Sequence, residues 1–87
     1  MKIKYHKRFE KQFKKLTPKD KQKVIIMVDK FVVDPNDKSF HNHQLKGALK
    51  NMRAISAAPN LRIIFEEYDD YALVVFLDLG KHNRVYN

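Results

Sequence analysis

Side chains that can transfer protons, bind phosphate and stack on bases follow directly after an apolar run late in the chain. Gly80 ends that run, His82 stands two residues later, and Arg84 and Tyr86 come next. A histidine can serve as a general acid or base near neutral pH, because its ordinary pKa is about 6.5. Arginine binds phosphate oxygens through paired hydrogen bonds, and an aromatic ring stacks on a base. This cluster therefore contains the side chains needed for proton-transfer chemistry at a phosphate.

Three more candidates, His43, Arg53 and Arg62, stand earlier in the chain. Each also has an ordinary explanation, because an isolated histidine is most often a surface residue and Arg62 could simply pair with Glu66. His41 and His43 could supply two ligands of a metal site. With no Cys and no well-spaced third ligand in the sequence, however, we expect neither a metal nor another cofactor.

The first half of the chain predicts a short strand and two helices. Residues 1–5 alternate in polarity, which favours an edge strand, and residues 8–16 carry apolar side chains at helical spacing. Thr17 is a good N-cap and Pro18 suits a first helical position, so a second helix is predicted from Pro18 to about Val33. The two helices then form a hairpin whose apolar faces need a cover.

Two late apolar runs predict strands that provide this cover and position the candidate side chains. Residues 61–65 and 72–79 are rich in β-branched and aromatic residues, and the acidic segment 66–71 between them predicts a turn. Because strand residues alternate between faces, we expect Arg62 and Ile64 to face away from the helices. In the later strand we expect Leu73, Val75, Leu77 and Leu79 on the helix side, and Val74, Phe76 and Asp78 on the opposite side.

Residues 50–57 predict one more strand, which a turn at residues 58–60 connects to the next. The resulting order, β-α-α-β-β-β, predicts an α+β fold: an antiparallel sheet of about four strands with an N-terminal helical hairpin on one face. The other face of the sheet stays available for function. The residues expected in the core are Leu16, Val28, Phe31, Ile63 and Val75.

The composition predicts one small basic domain over residues 1–87. The net charge is +8, and residues 1–30 carry all of it, with eleven Lys and Arg against three acidic residues. Such a one-sided distribution suggests a polyanionic partner, either nucleic acid or an acidic protein, although it could also be a merely solvated face. Because no apolar run resembles a signal peptide or a membrane span, a soluble cytoplasmic protein is expected.

Three sequence blocks stand in order along the chain: HQLKGALKNMR at residues 43–53, PNLRIIF at 59–65 and LGKHNRVY at 79–86. Together with the basic helical hairpin, they resemble the toxins of the RelE/ParE superfamily of bacterial type II toxin–antitoxin modules. Within that superfamily, the chain is most similar to the RelE and YafQ-type mRNA interferases. The resemblance implies a ribosome-dependent, metal-independent endoribonuclease that an acidic antitoxin holds inactive.

The same resemblance implies roles for individual residues. His43 matches the histidine of the family's H-x-L-x-G block, and His82 matches the histidine that follows the late glycine. Arg62 matches the arginine at the start of an R-[IVL]-[IVL]-[YF] strand, and Tyr86 matches a functional C-terminal aromatic residue. These four positions are the expected catalytic set. The positions expected to contact the substrate are Arg53, Lys46, Lys81 and Arg84.

Two departures from the family pattern keep other functions open. Ser56 and Asn60 stand where YafQ-like members have a further histidine and an aspartate. An inactive relative that is retained as a binding module is therefore an alternative. A ParE-like toxin that binds and poisons DNA gyrase is another, because one fold can host both activities. His82 and Tyr86 together with Arg62 favour the nuclease, since a gyrase binder does not need them.

Overall fold

The computed structural model describes residues 1–45, Gly47 and residues 51–81. In these parts of the chain, five strands, two α-helices and a short 3₁₀ turn follow one another. The elements are β1 (Lys2–Tyr5), α1 (Lys7–Lys14), α2 (Pro18–Val33), the 3₁₀ turn Lys38–Phe40, β2 (His43–Gln44), β3 (Met52–Ala58), β4 (Leu61–Tyr68) and β5 (Leu73–Lys81). None of the helices described is long and apolar enough to cross a membrane.

The strands form one sheet in the order β1-β5-β4-β3-β2. Both helices pack on one face of it, so the predicted α+β fold with a helical hairpin on a sheet is confirmed. Two details differ from the prediction. The two-residue strand β2 adds a fifth strand beside β3, and β1 pairs with β5 in parallel, with Lys2 opposite Leu73 and Tyr5 opposite Phe76. Alternation within a segment does not reveal which strand it pairs with.

Helix α2 begins and ends where the local sequence predicts. The Thr17 hydroxyl accepts the backbone N–H of Asp20 at 3.2 Å, and Pro18 is the first helical residue. The helix ends at Val33, just before Asp34 and Pro35, because a residue that precedes proline avoids the helical conformation. The caps therefore determine the ends of this helix.

Aromatic rings fill the core between the helices and the sheet. Phe31 of α2 is fully buried, and its ring centre lies 5.2 Å from that of Phe65 and 5.6 Å from that of Phe76. Phe40 of the 3₁₀ turn and Tyr71 of the β4–β5 turn contact the same ring. This packing fixes the sheet against α2 and leaves the other face without a helix.

A bulge in β5 overturns part of the predicted alternation. Ile64 pairs with Asp78 but Phe65 pairs with Phe76, so Leu77 is the extra residue. A bulge reverses which face later residues point to. Val74 and Phe76 are consequently fully buried against the helices, and the expectation that they face outward is wrong. The expectation that Leu73, Val75 and Leu77 face the helices is wrong for the same reason.

The predicted core is correct at its centre and less accurate at its edges. Phe31 and Ile63 are fully buried as expected, whereas Leu16 and Val28 are partly buried residues packed against the core. Val75 lies outside the core cluster and is half-buried, so that prediction is wrong because of the bulge. Leu79, which follows the bulge, is buried on the expected side.

Candidate functional site

The face of the sheet that carries no helix, called here the open face, collects several candidate side chains. His43 of β2 pairs with Ala54 of β3, which pairs with Ile64 of β4, which pairs with Asp78 of β5. Paired residues in an antiparallel sheet project to the same side. Their chain neighbours Ile55 and Ile63 belong to the core. This row of four therefore projects onto the open face.

A second row on the open face lies two residues along the strands. Ser56 of β3 pairs with Arg62 of β4, and Arg62 pairs with Gly80 of β5. Neighbouring strands are about 4.8 Å apart, so Arg62 lies about 10 Å across the sheet from the strand that carries His43. Ser56 and Arg62 also line a cavity of about 540 Å³, together with His41 and with Lys23 and Lys30 of α2.

Arg62 reaches over the β3–β4 turn. Its Nη1 donates to the backbone carbonyl oxygens of Ala58, Pro59 and Leu61 at 3.2–3.3 Å. The residue is half-buried. These contacts hold the guanidinium group in one place, and an arginine held in this way is suited to binding a phosphate because it keeps its charge at every physiological pH.

His43 is exposed and has a defined ring orientation. Its Nδ1 lies 2.8 Å from the backbone carbonyl oxygen of His41, which adopts a left-handed conformation with φ of 51°. Because a carbonyl oxygen only accepts hydrogen bonds, Nδ1 carries the proton. The neutral ring then has Nε2 as its acceptor, which is the form that a general base requires.

Arg53 lies on the other side of the sheet, the side of Phe65, with which it pairs. Its Nε donates to Oδ1 of Asn42 at 2.7 Å, and Nδ2 of Asn42 donates to the carbonyl oxygen of Pro35 and to the hydroxyl of Tyr71, each at 2.9 Å. This network joins the loop after α2 to β3 and to the β4–β5 turn. The structure therefore does not bring Arg53 together with His43 and Arg62.

The remaining candidates follow β5 or precede β3. The sequence predicts that a hairpin brings the residues after Gly80 next to Arg62, and the observed pairing of Arg62 with Gly80 agrees with that register. Lys81 is the last residue of β5, and its side chain lies outside the described residues. The candidates that lie wholly outside the described residues are Lys46, His82, Arg84 and Tyr86.

A depression on the open face was not predicted. Its volume is about 290 Å³, and among the described residues it is lined by Met52, Ile64, Leu77, Asp78, His6 and Arg8. Arg8 and His6 reach it because β1 pairs with β5 and the N–H of His6 donates to the carbonyl oxygen of Phe76 at 2.9 Å. The one sequence signal for it is a carboxylate, Asp78, inside an otherwise apolar strand.

No group of three or more potential metal ligands occurs among the residues that the structure describes. His41 and His43 follow each other closely in the chain, but they contact through a backbone carbonyl and a ring nitrogen. The arrangement on the open face can provide a base at His43 and a fixed positive charge at Arg62. Such a set is suited to proton transfer and charge stabilisation.

The chain matches a family model over residues 1–87, described as the bacterial toxin of type II toxin–antitoxin system, YafQ. YafQ from E. coli strain BL21(DE3) is 20% identical, with a TM-score of 0.80 over 98% of this chain and 97% of that one. A copper-bound mutant toxin from Helicobacter pylori is 27% identical, with a TM-score of 0.68 over 98% of both chains.

A chain of the E. coli DinJ-YafQ toxin-antitoxin complex is 17% identical, with a TM-score of 0.69 over 98% of this chain and 96% of that one. A search of the curated proteins found no match. The solved structures have the same fold as this chain over nearly its whole length.

Proposed function

The chain belongs to the YafQ family of bacterial toxins of type II toxin–antitoxin systems, and from this premise we propose that it is a ribosome-dependent endoribonuclease that cleaves messenger RNA. The observation that supports the proposal is that His43 and Arg62 belong to neighbouring rows of paired residues in the sheet, on strands that lie on either side of β3. A strand of RNA that lies across β3 would contact both residues.

The proposed reaction uses the RNA itself as the nucleophile. A base removes the proton of the 2′-hydroxyl, and the oxygen attacks the adjacent phosphorus. An acid then protonates the 5′-oxygen as its bond to phosphorus breaks. The products are a 2′,3′-cyclic phosphate and a 5′-hydroxyl end. A fixed cation stabilises the additional negative charge of the phosphorane intermediate.

We assign these roles on the resemblance and on residue chemistry. His82 is the acid or base nearest the scissile phosphate, and His43 is the second proton-transfer residue. Arg62 stabilises the phosphorane, and Tyr86 stacks on a base. Two features support this: the Nδ1 contact of His43 leaves Nε2 as the acceptor, and Gly80 lies opposite Arg62, two residues before His82.

We further propose that the partners are a small acidic antitoxin, the ribosome and mRNA, which places the action of the toxin in the cytoplasm. The charge of +8 favours a partner rich in carboxylates. The outward face of α2 also exposes apolar side chains that an antitoxin would cover. They are Ile25, Ile26, Val32 and Val33, which are 45–86% exposed.

The test is cleavage of a translated mRNA on purified ribosomes, with the RNA ends mapped by sequencing. Loss of a proton-transfer group costs about 10²–10⁴-fold in rate, and loss of a charge-stabilising donor costs about 10²–10³-fold. We therefore expect His82→Ala and Arg62→Ala to stop cleavage while each variant still binds the antitoxin. Lys38→Ala, which removes one exposed charge from the 3₁₀ turn, is the control and should cleave at the parent's rate.

Cleavage by His82→Ala at the parent's rate would show that this assignment is wrong. A parent protein that cleaves no RNA but traps DNA gyrase on DNA would support the gyrase-poison alternative instead. A parent that does neither, yet binds the antitoxin, would be the inactive relative that the residues Ser56 and Asn60 leave open.

A further inference from the structure

The roles assigned above leave the depression on the open face unused. Met52, Ile64 and Leu77 give it an apolar floor, and Asp78, Arg8 and His6 stand at its rim. It lies in the same row of paired residues as His43, because Ile64 pairs with Ala54 and Ala54 pairs with His43, two strand spacings or about 10 Å away. A nucleotide whose phosphate lies beside His43 would therefore have this depression within reach.

The bulge in β5 creates the depression. Because Leu77 is the extra residue, Leu77 and Asp78 both line the open face, one as floor and one as rim. Oδ1 of Asp78 accepts the backbone N–H of Leu79 at 2.8 Å, which fixes the orientation of the carboxylate. A carboxylate at this position thus faces an apolar surface with a defined geometry.

The second oxygen of Asp78 has only a weak protein partner among the described residues. Nη1 of Arg8 lies 3.9 Å from Oδ2, and the two side chains are 68% and 31% exposed. An exposed ion pair of this length contributes little to stability, so a ligand can replace it at small cost. Arg8 can then lie over the ligand, because a guanidinium plane stacks on aromatic rings.

His6 provides a flat ring at the same rim. Its Nδ1 accepts the backbone N–H of Arg8 at 3.0 Å and so forms the N-cap of α1. The cap fixes the ring, and in the neutral form the proton lies on Nε2. An apolar floor, a fixed planar ring and a fixed carboxylate together match the demands of an unpaired base, which needs stacking surfaces and a polar partner at one edge.

We propose that this depression, called here the base slot, binds one unpaired nucleobase of the mRNA beside the cleaved phosphate and that Asp78 selects which base. The inference rests on the proposed nuclease function and adds its substrate preference. An ionised carboxylate only accepts hydrogen bonds. It therefore favours a base edge that donates: guanine, with adjacent imino and amino donors, should bind best, adenine and cytosine next, and uracil least.

The first experiment measures base binding directly and needs no catalysis. The probes are the four nucleoside 5′-monophosphates, and the readout is the NMR shift of the methyl groups of Met52, Ile64 and Leu77. We expect saturable shifts. Guanosine monophosphate should bind about tenfold more tightly than uridine monophosphate, because one well-placed hydrogen-bonded pair accounts for about this difference in affinity. Asp78→Asn keeps an oxygen for the Leu79 N–H and should remove that difference.

Two further variants test whether the change in nucleotide binding is specific to the base slot. Asp70→Asn makes the same charge change in the β4–β5 turn, away from the base slot, and should bind every nucleotide as the parent does. His6→Asn retains a good N-cap residue but removes the ring, so it should weaken the binding of all four nucleotides about equally. Thermal melting of each variant verifies that it is folded.

The second experiment maps cleavage sites on ribosomes for the parent and Asp78→Asn. We expect the parent to disfavour uracil at one position beside the cut, and the variant to lose that preference while it still cleaves. Equal binding of uridine and guanosine monophosphates, or an unchanged cleavage preference in Asp78→Asn, would overturn the inference. If the methyl groups respond to guanosine monophosphate but the parent cleaves no RNA, the base slot stands and the nuclease function fails.

Discussion

At the scale of single residues, the open face combines side chains whose orientation is set by contacts with backbone carbonyl oxygens. The carbonyl oxygen of His41 keeps the proton of His43 on Nδ1, and three carbonyl oxygens beside the β3–β4 turn hold Arg62. In both cases, the turn or loop that supplies the carbonyl determines what the side chain can do. These residues are therefore sensitive to local backbone geometry as well as to substitution.

His43→Ala should slow cleavage on ribosomes, because the ring supplies the acceptor Nε2 that a general base needs. We expect a loss of about 10²–10⁴-fold, equal to or smaller than the loss in His82→Ala. Single-turnover cleavage with saturating toxin measures it. Gln22→Ala, an exposed change on the helix side, is the control, and a His43→Ala protein as fast as that control would exclude the role.

The sequence offered candidate residue types for the site, and their arrangement needed the structure. His43 and Arg62 could be found from motif and strand pattern, and both lie on the open face. Arg53 could not be separated from them, because only the register of β3 shows that it pairs with Phe65 and projects to the helix side. The base slot could not be predicted either, since it needs Arg8 beside Asp78, seventy residues later in the chain.

At the scale of elements, capping residues determine where the helices and the 3₁₀ turn start. Thr17 caps α2, and Asp37 caps the 3₁₀ turn that leads to His43. The Asp37 carboxylate accepts the hydroxyl of Ser39 at 2.6 Å and its backbone N–H at 2.9 Å. The caps thus stabilise the hairpin and guide the loop that carries a candidate catalytic residue.

Thr17→Ala should destabilise the protein by about 1 kcal/mol, because the backbone N–H of Asp20 loses its acceptor. Thr17→Ser keeps a hydroxyl at the same place. Its free energy of unfolding should therefore lie within about 0.3 kcal/mol of the parent's. Urea unfolding of the three proteins gives the free energies. Equal stability of Thr17→Ala and the parent would mean that the cap contributes nothing here.

The Asp37 cap should depend on pH. Hydrogen bonds from the side chain and then the backbone of Ser39 hold the pKa of Asp37 below its ordinary value. The stabilisation is therefore complete above the ordinary carboxyl range and is lost as the pH falls through the lowered pKa. The amide resonance of Ser39 should follow this titration, and Ser39→Ala should shift its midpoint upward. A midpoint that does not change would contradict the role of the hydroxyl.

Strand pairing shows where element-level prediction ends. The hairpin of β4 and β5 follows from composition, but the bulge at Leu77 follows from packing, because Phe76 has to meet Phe31 and Phe65 in the core. Strict alternation cannot anticipate an extra residue. The extra residue Leu77 therefore reverses the predicted facing of the four residues before it, from Leu73 to Phe76.

At the scale of the whole molecule, positive charge and apolar surface lie together on the first three elements. Residues 1–30 hold the net charge of +8, and the exposed apolar side chains of α2 lie in or just after that range. The electrostatic and the apolar contributions to partner binding respond differently to salt. Screening weakens contacts between charges, whereas apolar burial persists.

The affinity for the proposed acidic antitoxin should therefore fall between 0.1 and 1 M salt, because the Debye length shrinks from about 10 to about 3 Å over this range. The affinity should not disappear, because apolar burial persists. Titration calorimetry with the proposed antitoxin measures this dependence. Val33→Asp, at the most exposed apolar position of α2, should weaken binding at both salt concentrations. Two proteins that separate freely in low salt would contradict the proposed partnership.

The parallel pairing of β1 with β5 has a consequence for how the toxin is made. It joins the first strand in the chain to the last strand among the described residues. Contacts between distant parts of a chain form late, because loop closure must precede them. While a ribosome is still translating the message, β5 has not emerged, so β4 lacks a neighbour and the rim formed by Arg8 and Asp78 does not exist. The pairing of β1 with β5, and with it the rim of the base slot, can therefore form only after β5 has left the ribosome that synthesises the chain.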